Sequence, residues 1–95
     1  MLRIVIKKII WDEWNLNHIR KHNVSRNEAE EVAANIIVHE KTKKGRYLII
    51  GRTGSRILTV IINRRKTGIY YLVTARDSAK KERRRVYEKE KKQIT

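Results

Sequence analysis

Arg46-Tyr47-Leu48-Ile49-Ile50-Gly51-Arg52-Thr53-Gly54-Ser55-Arg56-Ile57-Leu58-Thr59-Val60-Ile61-Ile62-Asn63 is the stretch that decides the fold. Two runs rich in Ile, Val and Leu, the residue types that fit a pleated surface, flank the gap Thr53-Gly54-Ser55. A gap that short, containing glycine, closes a hairpin. A third run, Gly68–Thr74, follows the gap Arg64–Thr67, so the middle of the chain reads as an antiparallel meander. Alternation places Leu58, Val60 and Ile62 on one face and Ile57 and Ile61 on the other. Both faces are apolar, which predicts a sheet covered on both sides.

Working outward toward the N-terminus, Ser25-Arg26-Asn27-Glu28 is a capping box, with Val24 and Ala29 at the staple positions. Ala29, Val32, Ala33 and Ile36 follow at helical spacing and predict a helix over 26–35. Before it, Asp12 caps a shorter helix over 13–22, with Trp14, Leu16 and Ile19 as its apolar contacts. Asn23 stands where a left-handed residue ends that helix. Residues 3–10, dense in Ile and Val, read as a first strand, and Ile36–Glu40 offers a further short one. Beyond the meander, 78–92 reads as a final helix with a thin apolar stripe of Ala79 and Val86, Tyr87 at its edge. The expected order is β-α-α-β-β-β-α, an α+β fold in a single domain over 1–95: an antiparallel meander, two N-terminal helices and one C-terminal helix.

At 95 residues there is room for one compact domain. Cysteine is absent, which excludes disulfides and thiolate zinc sites. No apolar run approaches the ~20 residues of a membrane span. The run Leu2–Trp11 is broken by Arg3, Lys7 and Lys8 and lacks a cleavage site, so a cytoplasmic protein with no membrane partner is expected. Lys and Arg number 24 against 10 Asp and Glu, a net charge of +14. Between Glu40 and Asp77 lie ten basic residues and no acid. Charge for solubility alone would mix both signs along the chain, so this distribution points to a dedicated anionic partner, nucleic acid before membrane.

Three segments carry a resemblance to a known family. Trp11-Asp12 is followed by Asn15, then by Arg20-Lys21-His22-Asn23-Val24-Ser25 and a helix with Glu28 and Ala29. Arg46-Tyr47-Leu48-Ile49-Ile50-Gly51 is a strand that opens on arginine and ends in Ile-Gly. Tyr71-Leu72-Val73-Thr74-Ala75-Arg76 leads to Ala79, Glu82-Arg83 and Tyr87. Together, in order and at matching spacing, they resemble the BrnT toxins of BrnT/BrnA type II toxin–antitoxin systems. Asn23 stands where that family has glycine, and Arg26 near its usual aromatic. The resemblance implies a RelE-like ribonuclease fold, an endoribonuclease that cleaves RNA and arrests growth, and a small antitoxin, BrnA, with a ribbon–helix–helix DNA-binding domain. Operator DNA would be bound only through the antitoxin complex.

Cleavage of RNA without a metal needs a base for the 2′-hydroxyl, cations for the developing phosphorane charge and an acid for the 5′-oxygen. Arg76, where the last strand meets the last helix, is the candidate phosphate clamp, against the simpler role of covering the sheet end. Glu82 is a candidate base, or a group that orients Arg76 or Arg83; it and Arg83 share the side of the helix that docks. That charged set reads either as a structural pairing with strand residues or as a site at the sheet edge. His22 is a candidate base or acid, since imidazole titrates near neutrality, and Lys21 a phosphate contact. Both equally suit a helix's last turn, where cations complement the dipole. Arg52, Arg46, Arg83, Arg64 and Arg65 complete the expected RNA-binding set, and Tyr87 reads as core packing before catalytic hydroxyl. His18 and His22 have the spacing of a helical metal pair but no evident third ligand, so no metal or other cofactor is expected. The alternative is a noncatalytic basic module that binds nucleic acid, to which an inward-facing Glu82 would contribute nothing.

Overall fold

The structure, a computed structural model, describes residues 4–94. Its elements are β1 (Lys8–Ile10), α1 (Glu13–Arg20), α2 (Arg26–Ala34), β2 (Ile36–Lys41), β3 (Arg46–Thr53), β4 (Arg56–Lys66), β5 (Ile69–Asp77) and α3 (Lys80–Ile94). The α+β class and the meander are as the sequence predicts. The short strand that Ile36–Glu40 offered is present as β2, so the meander has four strands and the order is β-α-α-β-β-β-β-α. The strands form one sheet in the order β1-β5-β4-β3-β2. β2 through β5 are antiparallel neighbours, and β1 adds a parallel edge to β5.

The expected first strand over 3–10 pairs only from Lys8 to Ile10; Arg3 lies outside the described residues. Ile4 and Ile6 instead turn their side chains onto the core without joining the ladder. Where β1 ends, Asn15 takes over the free edge of β5. Fully buried, it donates from Nδ2 to the carbonyls of Ile10 (3.0 Å) and Leu72 (3.1 Å). Its Oδ1 accepts from the Asp12 amide while Asp12 accepts from the Asn15 amide, so α1 also opens on a capping box. The predicted Ser25–Glu28 box is formed. Asn23 has φ 58°, the left-handed conformation expected of it.

The apolar alternation of β4 divides the interior in two, as the sequence implies. Leu58, Val60 and Ile62 join Ile49, Leu72 and Ala75 beneath α1 and α2. Gly51 is where α2 crosses closest: a Cβ there would stand 2.9 Å from the Asn35 carbonyl and 3.2 Å from Val32 Cγ1. On the other face Val38, Ile50 and Ile57 pack with Val86, the fully buried residue of α3. That second core is thin, and ion pairs supplement it: Glu82 with Arg76, Glu90 with Arg52, and Arg85 with Glu40 all tie α3 to the sheet. α3 packs mainly on β2 and β3, which leaves Ile61 of β4 and Thr74 of β5 only half-buried on the same face. A strip of the sheet therefore stays open beside the start of α3.

Candidate active site

Arg76 and Glu82 meet where β5 hands over to α3. Thr59 is the register partner of Arg76, and alternation directs both to the α3 face. The two arms of the Arg76 guanidinium embrace the Glu82 carboxylate, Nη1 to Oε1 at 2.7 Å and Nη2 to Oε2 at 3.0 Å. Oε1 also accepts from the Thr59 hydroxyl (2.9 Å) and from the Ala79 amide (2.7 Å), one of the first-turn amides that a helix leaves unpaired. Thr59 shares a further hydrogen bond with Ser78 Oγ at 2.7 Å. Both hydroxyl residues are buried, so the carboxylate rests on a dry floor while Arg76 keeps 40% of its side chain exposed.

This surrounding sets the chemistry of the pair. The Arg76 hydrogen bonds hold the Glu82 carboxyl down to about 2, against partial burial, which acts upward; the Ala79 amide and Thr59 hydroxyl add to the lowering. Glu82 in turn raises the Arg76 pKa. A carboxylate held that low is a weak proton acceptor at neutral pH, and its place behind the guanidinium suits orientation of Arg76 better than general-base work. Beyond its bonds to Glu82, Arg76 Nη1 also reaches the Asp77 carbonyl at 3.3 Å. With five N–H groups on the fork, Nε and one Nη2 hydrogen remain for an incoming anion.

Lys21 and His22 are exposed on the turn after α1. Neither touches Arg76 or Glu82 through a hydrogen bond or ion pair among the described residues, but Arg56 brings their turn to the same end of the sheet. Its Nη1 donates to the Asn23 carbonyl (2.8 Å) and to Glu28 (2.9 Å), and its Nη2 to Asp77 (3.1 Å), the residue after Arg76. His22 makes an edge contact with His18 at 5.5 Å between ring centres, and His18 stacks on the exposed Trp14 at 4.9 Å. No group of three metal-ligating side chains occurs among the described residues.

The remaining expected contacts scatter. Arg52 does not join Arg76, because its Nε and Nη2 both go to Glu90, at 2.6 and 3.0 Å. Arg83 folds back on the carbonyl of Ser78 at 2.6 Å, so Glu82 pairs with the strand and Arg83 with its own helix start. Tyr87 is half exposed beneath Arg52 and is not core packing. Arg46, Arg64 and Arg65 sit at the opposite end of the sheet. Thr59, Ser78 and Arg56 belong to the architecture of the site but were not among the expected residues. A lone threonine in the run Ile57–Ile62 was the available signal for the first.

No helix among the described residues is long and apolar enough to cross a membrane. Known proteins agree with the fold and with the motifs. No curated protein matches the sequence. The 1.1 Å crystal structure of the Brucella abortus ribonuclease toxin BrnT superposes with a TM-score of 0.64 at 25% identity, covering 77% of this chain and 97% of that one. The two share a RelE-like α+β fold. Residues 11–82 match the family described as the ribonuclease toxin, BrnT, of type II toxin–antitoxin systems, a span that runs from the Trp-Asp pair to Glu82. The chain belongs to the BrnT family of ribonuclease toxins.

Proposed function

We propose that this chain is a metal-independent endoribonuclease toxin that cleaves RNA and arrests growth in the cytoplasm, and that a BrnA-type ribbon–helix–helix antitoxin neutralises it. The observation that carries the reading is the half-exposed Arg76 fork, held by a partly buried, low-pKa Glu82, at the edge of the strip of sheet that α3 leaves open. RNA supplies its own nucleophile, the 2′-hydroxyl, so the protein needs to hold the phosphate, neutralise the charge that develops on it and move protons. Arg76 binds the scissile phosphate and stabilises the phosphorane. Glu82 is a positioning residue that fixes the fork before substrate arrives. His22 exchanges the protons and Lys21 adds a second cation, from the turn that Arg56 anchors to Asp77. Operator DNA would be met only through the antitoxin.

The test uses purified protein, labelled RNA and a chelator. Wild type should cut without divalent ions. Arg76→Ala should lower the rate by about 10²–10³-fold, the usual cost of one preorganised charge-stabilising donor. Glu82→Ala should lose activity as well. Tight, salt-sensitive binding without cleavage would favour the noncatalytic binding module, and cleavage unchanged in both variants would remove the site from this end of the sheet. Induction in cells should arrest growth for wild type and not for Arg76→Ala, and co-expression with the antitoxin should restore growth and raise the stability of the chain.

A further inference from the structure

The end of the sheet opposite Arg76 carries a second concentration of charge that the site does not use. Two hairpins lie side by side there: the Arg64 amide donates to the Gly45 carbonyl at 2.8 Å, and Arg46 is in register with Asn63. Lys43, Lys44 and Arg46 from one and Arg64, Arg65 and Lys66 from the other are all exposed. None of these six cations forms an ion pair with a carboxylate among the described residues. Glu40, on β2 of the first hairpin, is held by Arg85. Asp12, which Tyr71 links toward Arg65, accepts the Tyr71 hydroxyl at 3.0 Å. Six unneutralised cations on adjacent hairpin ends repel one another, a cost that an anion spanning both hairpins relieves.

We infer that this end is a second foothold for the phosphate backbone of the RNA substrate, remote from the cleavage site. The substrate class rests on the ribonuclease reading above; the foothold adds a length requirement to it. Thr59 marks the position of Arg76 on β4, and Arg65 lies six residues further along the same strand, about 20 Å at ~3.3 Å per residue. A strand stacked at ~3.4 Å per nucleotide needs about six nucleotides to cover that distance. The half-buried side chains of Ile61 and Asn63 lie on β4 between the two ends. RNA shorter than this span engages one end; longer RNA engages both.

The experiment measures binding of a 12-nucleotide 2′-O-methyl RNA, whose blocked 2′-oxygens cannot attack, across salt, beside cleavage of the ribo 12-mer and of a dinucleotide. The triple variant Arg46→Gln, Arg64→Gln, Arg65→Gln is compared with a charge-matched control further along α3, Arg84→Gln, Lys89→Gln, Lys91→Gln. For a single strand each lost phosphate contact lowers the salt slope by ~0.7, so three lower it by about 2. Between about 50 and 200 mM salt, wild type should therefore lose roughly sixteenfold more affinity than the triple variant. The control should retain most of the wild-type slope. Wild type should prefer the 12-mer over the dinucleotide in kcat/KM, and the triple variant should lose most of that preference through KM. Equal slopes for the two variants, or no length preference in wild type, would overturn the foothold. Because the binding arm uses uncuttable RNA, it reads out whether or not the chain cleaves. A steep wild-type slope with no cleavage overturns the ribonuclease reading alone, and cleavage with a shallow slope overturns the foothold alone.

Discussion

Glu82→Gln isolates the charge on which the candidate site is built. Glutamine keeps the shape of the side chain and an acceptor for the Thr59 hydroxyl and Ala79 amide, but it turns donors toward the Arg76 guanidinium. In wild type the carboxyl is held at about 2, against an ordinary 4.5. At ~1.36 kcal/mol per unit this difference bounds the stabilisation at about 3 kcal/mol. Only 16% of the Glu82 side chain is exposed, but Arg76 is 40% exposed and solvent screens the pair, so about 1–2 kcal/mol is expected at pH 7. For a domain of this size that lowers Tm by about 5–15 °C. The sign follows from linkage: a group whose pKa is depressed by folding contributes its full stability above the unfolded value and loses it as pH falls through the folded value. Melting curves recorded by circular dichroism from pH 7 to pH 2 should therefore show a constant gap between wild type and variant down to about pH 4.5, closing by about pH 2. Other carboxylates titrate in both proteins and cancel. A gap that persists to pH 2, or no gap at pH 7, would refute the assignment of Glu82 as a folded-state anion clamped by Arg76.

Thr59→Val should cost about 1–3 kcal/mol, read as a lower denaturation midpoint, because it strips a buried hydroxyl from both Glu82 and Ser78. Gly51→Ala should destabilise by about 1–3 kcal/mol in the same assay, since the new methyl meets the Asn35 carbonyl at 2.9 Å and α2 must move. Arg56→Gln should loosen the Lys21–Asn23 turn, seen as faster hydrogen exchange of its amides, because Glu28, Asp77 and the Asn23 carbonyl lose their common partner. Asn23→Gly should change stability by less than about 1 kcal/mol, since glycine relieves the strain of φ 58° but frees the unfolded chain.

The elements that carry local signals were legible. The Ser25–Glu28 box is a pattern of neighbours, and the helix begins where it says. Alternation along Ile57–Ile62 sorted both cores, because side-chain direction in a strand has a period of two whatever the strand packs against. Asn23 announced a left-handed residue and is one. The first strand was overextended because β-branched residues fit equally well against a core without a ladder, as Ile4 and Ile6 do.

The candidate site divides along the same line. Arg76 and Glu82 are six residues apart across a strand-to-helix corner, close enough for the sequence to place them together. It offered Glu82 to Arg76 or to Arg83 without choosing, and did not give Arg52 to Glu90, because those partnerships depend on where α3 lies across the sheet. Composition determined that the chain is basic and that its middle lacks any acid. Only the tertiary structure decided which of those cations are neutralised and which stay free, because neutralisation depends on distances between residues far apart in the chain, as Arg56 and Glu28 are. Local order follows from neighbours in sequence, whereas the electrostatics of a surface follow from neighbours in space.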